Sequence, residues 1–206
     1  MTVLILSKTR MHGDHVCVGG FDLEAGRNVR LLTAQGYNQP TTTTYQIGEI
    51  WSVVYRPRAG CEPPHVEDVL VTSSSRVAVQ AELATFIRTN CPIVKGSLHN
   101  VFGGHLQYTG AGSAFISRGA GVPDGSVCFW ETNERLRRDD FDTKVRYTFR
   151  QGFANRHISF VGFQEPVDVI PQGTLVRLSM ARWWKPKDAP TEEPEKCFLQ
   201  LSGYYQ

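Results

Sequence analysis

The sequence has little net charge: Lys and Arg exceed Asp and Glu by only +2 over 206 residues. Bulk charge therefore gives no basis for a nucleic-acid partner, because domains that bind by overall field usually have a pI above about 9. Any such site must come from local clustering. Paired cysteines are also missing. The five, Cys17, Cys61, Cys91, Cys128 and Cys197, stand singly and are odd in number. That argues against a disulfide framework and against a zinc site built on closely spaced thiols. They read as reduced core residues of a cytoplasmic protein. No stretch approaches the roughly 20 apolar residues of a membrane span. The Val3–Leu6 run is shorter than the roughly 7–15 residues of a signal core and has no basic segment before it, so it reads as a buried first strand.

Catalytic signatures are equally scarce. Gly103-Gly104 and Gly110-Ala111-Gly112-Ser113 are not followed by the Gly-Lys-Ser/Thr ending that a phosphate loop needs, and they read as turn glycines. His12-Gly13-Asp14-His15 has no partner at metal-site spacing and reads as a surface turn. No serine sits in a Gly-x-Ser-x-Gly elbow, and no cysteine has an adjacent base. The expectation is a protein that is not an enzyme and uses no cofactor or metal. One catalytic alternative stays open: Asp139, Asp140 and Asp142 as ligands of a divalent ion in a hydrolase or nuclease. Flanked by Arg135, Arg137 and Arg138, they read more simply as a solvated, self-compensating loop.

What is present is turn chemistry and short strands. The 19 glycines and 11 prolines are more than helical bundles tolerate, since both residues penalise helix interiors. With 41% hydrophobic residues the chain is globular. The fold class is all-β dominated. Strand signals recur at Val3–Leu6, Val16–Phe21, Arg27–Leu32, Gly48–Tyr55, Ser126–Trp130, Lys144–Arg150, His157–Phe163, Thr174–Met180 and Cys197–Tyr205. One helix is expected over about 77–89. Thr72–Ser75 supply cap candidates, Val79, Leu83, Phe86 and Ile87 form an apolar stripe, and Pro92 closes it. The strand–helix unit ends near Ile93–Lys95, which suggests domains at 1–95 and 96–206.

The Lys144–Arg150 segment alternates strictly. Lys144, Arg146, Thr148 and Arg150 fall on one face, and Val145, Tyr147 and Phe149 on the other. A row of cations on a sheet face tracks phosphates, and neighbouring aromatics offer stacking surfaces worth about 1–3 kcal/mol per base. Arg156 follows this strand, and Trp183-Trp184 are the stacking candidates. Lys8, Arg10, Arg27 and Arg30 form a second basic cluster on the opening strands. An ordinary solvated sheet face also carries Lys and Arg. The competing function is therefore a protein–protein adaptor anchored by exposed aromatics, including Tyr204 and Tyr205.

Several segments together resemble the dual OB-containing domain family of prokaryotes. They are Leu4–Arg10, Cys17–Asp22, Gly26–Leu31, Tyr45–Trp51, Pro63–Leu70, Gly96–Leu98, Ser126–Trp130 and Cys197–Leu201. The resemblance implies two tandem OB-like barrels that bind nucleic acid, DNA or RNA, as a sensor or adaptor beside an effector protein in an antiviral or conflict system. Two positions depart from the family's pattern. Leu31 stands where the family has Pro, and Asp68 where it has Asn, so a site built around Arg30 and the Asp68 turn is changed in shape and charge.

Overall fold

The computed structural model describes all 206 residues. The first sheet contains the strands Thr2–Arg10, His15–Asp22, Arg27–Leu32, Gln39–Pro40, Glu49–Pro57 and Asp68–Val79. Thr2–Arg10 pairs with both His15–Asp22 and Glu49–Pro57, and this double pairing closes five of the strands into a barrel. Closure elsewhere uses one parallel contact, Arg30 to Asp68 through Leu32 to Leu70. A five-stranded barrel of this kind is the OB architecture. Val3, Ile5, Val16, Val18, Val29, Leu31, Val53 and Val69 fill its interior. All but Leu31 are β-branched, which suits a pleated, buried surface.

Gly20 is required where the first two strands pack. A Cβ there would lie 2.5 Å from Val3 Cγ1 and 2.9 Å from the Leu4 carbonyl oxygen. The strand opposite is bulged between Ile5 and Ser7, and that irregularity brings the backbones together at Gly19-Gly20.

The second sheet runs through Val169–Ile170, Leu136–Phe141, Lys144–Gln151, Ala154–Phe160, Lys196–Tyr205, Leu175–Met180, Val127–Thr132 and Ile93–Gly96. Ala114–Ser117 joins it through Lys196–Tyr205. Its core is the larger one, built on Trp130, Tyr147, Ile158, Leu178 and Leu201. Ile93–Gly96, which a division after residue 95 would split, pairs in parallel with Val127–Thr132 and so lies with the second sheet.

The helix spans Leu83–Asn90 rather than starting at Val77. Thr72–Val79 instead continue the strand Asp68–Val79, which Glu49–Pro57 pairs along nearly its whole length. The β-branched Val77 and Val79 favour that extended partner over a helix whose face they would not bury. Both are exposed on the strand. Ile87 is buried and Leu83 and Phe86 pack beside it, so the apolar stripe holds from Leu83 onward.

The two halves share a core. Leu4, Leu6 and Phe21 of the barrel meet Ile87 of the helix, Cys91 at its end, and Phe129, Leu175 and Tyr205 of the second sheet. Backbone hydrogen bonds extend the first strand across the junction: Arg10 N–H donates to Val161, and Phe163 N–H donates to Lys8. The Tyr205 hydroxyl donates to the Leu6 carbonyl at 2.7 Å. The junction is therefore packed and hydrogen-bonded, not a linker.

Candidate nucleic-acid interface

The alternation of the Lys144–Gln151 strand is realised. Tyr147 and Phe149 are buried, while Lys144 and Arg150 are exposed on the other face. Leu136–Phe141 lies on one side and Ala154–Phe160 on the other. Their register sets Arg137 beside Thr148 and His157, Asp139 beside Arg146 and Ser159, and Phe141 beside Lys144. Side chains on directly paired residues share a face. The solvent face is thus a three-strand basic surface. Glu134–Asp142, expected as a loop, is mostly strand, because its hairpin with Lys144–Gln151 supplies backbone partners that its cancelling charges do not advertise.

A cleft of about 660 Å³ runs along this surface, lined by Arg135, Arg137, Arg146, Arg150 and Arg156. Glu134 and Asp139 are its acidic members. Asp139 Oδ2 accepts from Arg146 at 2.7 Å and 2.6 Å, and the Arg146 guanidinium stacks over Phe141 at 4.4 Å. Arg156 lies over the Tyr108 ring at 3.8 Å and donates to Gln151. These contacts hold Arg146 and Arg156 in place. Arg135, Arg137 and Arg150 are exposed and form no ion pair. His157 is within 2.6 Å of the Ser113 hydroxyl, and burial with the nearby Arg146 lowers its pKa. Sequence reasoning missed Arg135 and Arg137 because their charges are offset residue by residue in the chain; only the strand register separates them from Arg138 and Asp140, which bond each other at 2.8 Å and 2.9 Å.

The opening cluster does not form one surface. Lys8 is buried, and Nζ donates to the carbonyls of Thr43 and Tyr45 at 3.4 Å and 3.3 Å. Burial lowers its pKa, with Glu49 opposing. Arg10 donates to the Gly162 carbonyl at the junction and lies over Phe163. Arg30 is paired with Asp68. Arg27 is exposed, as is Arg10, but it sits on another strand beside Asp22 and Tyr55. Odd spacing between Arg27 and Arg30 sends them to opposite faces of their strand.

The tandem tryptophans do not join the arginine cleft either. Trp183 lines a separate cleft of about 590 Å³ at the junction, with Tyr37, Arg58, His65 and Arg182, and shares none of the residues of the first. The Arg118 guanidinium stacks on its ring at 4.6 Å. Trp184 is 55% exposed, packs near Phe198, and bridges to Lys196. Neighbours in extended backbone point opposite ways, which separates the pair.

Asp68 sits at the edge of the junction cleft, buried and paired with Arg30, Arg58 and Arg182. Burial alone would raise its pKa, but Arg30 and Arg182 outweigh it and hold the carboxyl below its ordinary range. Beside it, burial together with Arg182 and Arg30 pulls His65 down to about 4. Asp139 and Asp140 are each taken up by an arginine, and Asp142 turns the hairpin at φ 58°. No group of three or more His, Cys, Asp or Glu side chains is placed to hold a metal ion. No helix is long and apolar enough to cross a membrane.

The model of the dual OB-containing domain matches residues 1–204. No curated protein matches the chain. Among solved structures, the chain is similar to the HINa domain of Ifi202 in complex with 20-bp double-stranded DNA, at 10% identity and TM-score 0.37, covering 98% of this chain and 95% of that one. It is also similar to a murine DNA-binding protein bound to double-stranded DNA, at 10% identity and TM-score 0.32, covering 99% and 96%. A third, described as structural mimicry for functional antagonism, shares 11% identity at TM-score 0.38, covering 98% and 91%. Likeness this remote says nothing of what this chain binds.

Proposed function

The chain belongs to the dual OB-containing domain family, and from that premise we propose that it is a non-catalytic, cytoplasmic nucleic-acid-binding module. Its binding surface is the arginine cleft of the second half. The observation that carries this reading is the convergence of five arginines on one cleft, of which only Arg146 has a carboxylate partner. Two exposed phenylalanines end the surface. Phe141 sits opposite Lys144 at one hairpin tip, and Phe153, fully exposed, sits in the turn after Gln151. The strand between them spans about 23 Å. Phosphates following Arg137, Arg146 and Arg150 would leave bases to stack on the rings, so the ligand is a strand with unpaired bases. Phe153 and Phe141 take the stacking role first assigned to Trp183 and Trp184. The finer proposal, a sensor or adaptor beside an effector in a prokaryotic conflict system, rests on the family resemblance alone. The division into two units is part of the same proposal, with its boundary near Ile93–Lys95. The test is a gel-shift panel of single- and double-stranded DNA and RNA at two salt levels. Preferential, salt-sensitive retention of single strands supports the reading, and no retention at low salt contradicts it.

One observation favours a protein partner instead. Val54, Val77 and Val79 are exposed on the paired strands Glu49–Pro57 and Asp68–Val79 of the barrel. The anchors first named for that role are not available: Tyr205 is buried, and the Tyr204 hydroxyl is bonded to the Glu165 carbonyl. An apolar interface there would hardly respond to salt, which separates the two readings.

A further inference from the structure

Arg177 is 5% exposed in the middle of the strand Leu175–Met180, at the junction of the two halves. Its guanidinium lies so close to the barrel backbone that a Cβ on Gly19 would come within 2.7 Å of Nη2. Nη1 donates to the Ser202 hydroxyl at 3.0 Å, Nε has no partner, and no carboxylate pairs with the side chain. A buried cation with no counter-ion is costly, because its hydration is lost and nothing replaces it.

The same arginine lines a partly enclosed cavity of about 180 Å³ between the halves. Arg30 and Arg182 also line it, as do Thr9, Ser179 and Gln200. The charge balance around it is positive. Arg30, Arg58, Arg177 and Arg182 stand against the two carboxylates of Asp68 and Glu67. Both carboxylates are engaged: Asp68 by its three arginines, Glu67 by the Ser126 N–H at 2.6 Å and hydroxyl at 2.8 Å. Neither approaches Arg177.

We infer that this cavity is a binding site for a small phosphate-type oxyanion, held by Arg177 with the hydroxyl and amide donors of Thr9, Ser179 and Gln200. The volume suits one tetrahedral anion and falls below the roughly 300 Å³ at which pockets begin to take drug-sized ligands. Guanidinium–phosphate pairing is among the stronger charge-assisted contacts, and an anion here would also bridge the halves. The site is separate from the arginine cleft and does not depend on that cleft binding nucleic acid.

The test measures binding of inorganic phosphate to the full chain by equilibrium dialysis, with chloride at matched ionic strength as control and adenosine monophosphate as a second arm. One phosphate per chain, with a raised Tm that chloride does not reproduce, is expected. Cys17, which also lines the cavity, should then alkylate at least threefold more slowly, while Cys61 in the open junction cleft keeps its rate. Effects with phosphate assign a free anion, and effects with the nucleotide alone assign its phosphate group. Gln200→Glu keeps the shape of the side chain and places a carboxylate in the cavity. It should raise the Tm without phosphate and weaken phosphate binding at least tenfold. Arg177→Met should abolish binding if it folds, and Gln200→Glu decides the matter if it does not. No binding by wild type in either arm, or undiminished binding by Gln200→Glu, overturns the site.

Discussion

Arg30 and Asp68 face each other across the parallel pairing that closes the first barrel, and their side chains form an ion pair within it. The partnership ties closure of the barrel to the second half, because Asp68 also accepts from Arg182 at 2.8 Å. Replacing the carboxylate leaves buried guanidinium groups without compensation. Asp68→Ala is expected to destabilise the protein by about 3–5 kcal/mol, the usual loss when one partner of a buried pair is removed. Urea unfolding at neutral pH measures it.

The same carboxylate makes stability depend on acid. The folded state holds the Asp68 pKa below its unfolded value, so the pair's contribution is present above about pH 3.9 and is lost as pH falls through the lower folded value. The gap between wild type and Asp68→Ala should therefore narrow below pH 4. Unfolding curves of both proteins between pH 7 and pH 2 show whether it does.

His65 acts at higher pH. Its folded pKa is lowered to about 4, against roughly 6.5 unfolded, so the unfolded chain binds the proton first. Its contribution is complete above about 6.5 and falls away progressively towards pH 4. His65→Gln should flatten the stability profile across that window. A thermal melt series from pH 7.5 to pH 4 is the check.

Gly20 is the backbone counterpart. Gly20→Ala places a methyl group against Val3 and the Leu4 carbonyl, where backbone must move. Overpacking of this kind costs about 1–3 kcal/mol, and the denaturant midpoint should fall without a change in slope.

Phe153 touches no core cluster and is fully exposed. Phe153→Ala should leave the Tm unchanged and weaken single-strand binding by about 1–3 kcal/mol, with the salt slope preserved. Anisotropy titrations at three salt concentrations separate this stacking loss from a charge loss.

The sequence pattern announces some of these features and hides others. Lys144–Arg150 is legible because burial of Tyr147 and Phe149 enforces a period of two on the cations between them. Arg135 and Arg137 are hidden by their acidic neighbours, and only pairing with the Lys144–Gln151 strand sorts them onto one face. Val79 fits a helical stripe with Leu83 and a strand equally well. The long partner Glu49–Pro57 decides between them. Trp183 and Trp184 read as a unit because they are adjacent in the chain, yet extended backbone separates their rings. Arg182 lies 114 positions from Asp68, so nothing local points to their contact. The family resemblance did single out Arg30 and Asp68, and the structure makes them part of one buried charge cluster.

The arginine cleft is tested most directly by charge reversal within it. Arg137→Glu and Arg150→Glu are exposed changes that break no ion pair, so the fold should be unaffected. In an anisotropy titration from 50 to 200 mM salt, on the order of the range over which phosphate contacts are usually read, the double variant should bind single strands at least tenfold more weakly. The slope of log affinity against log salt should also be shallower by about two, roughly one per phosphate contact removed. Unchanged affinity and slope would contradict the cleft as the binding surface.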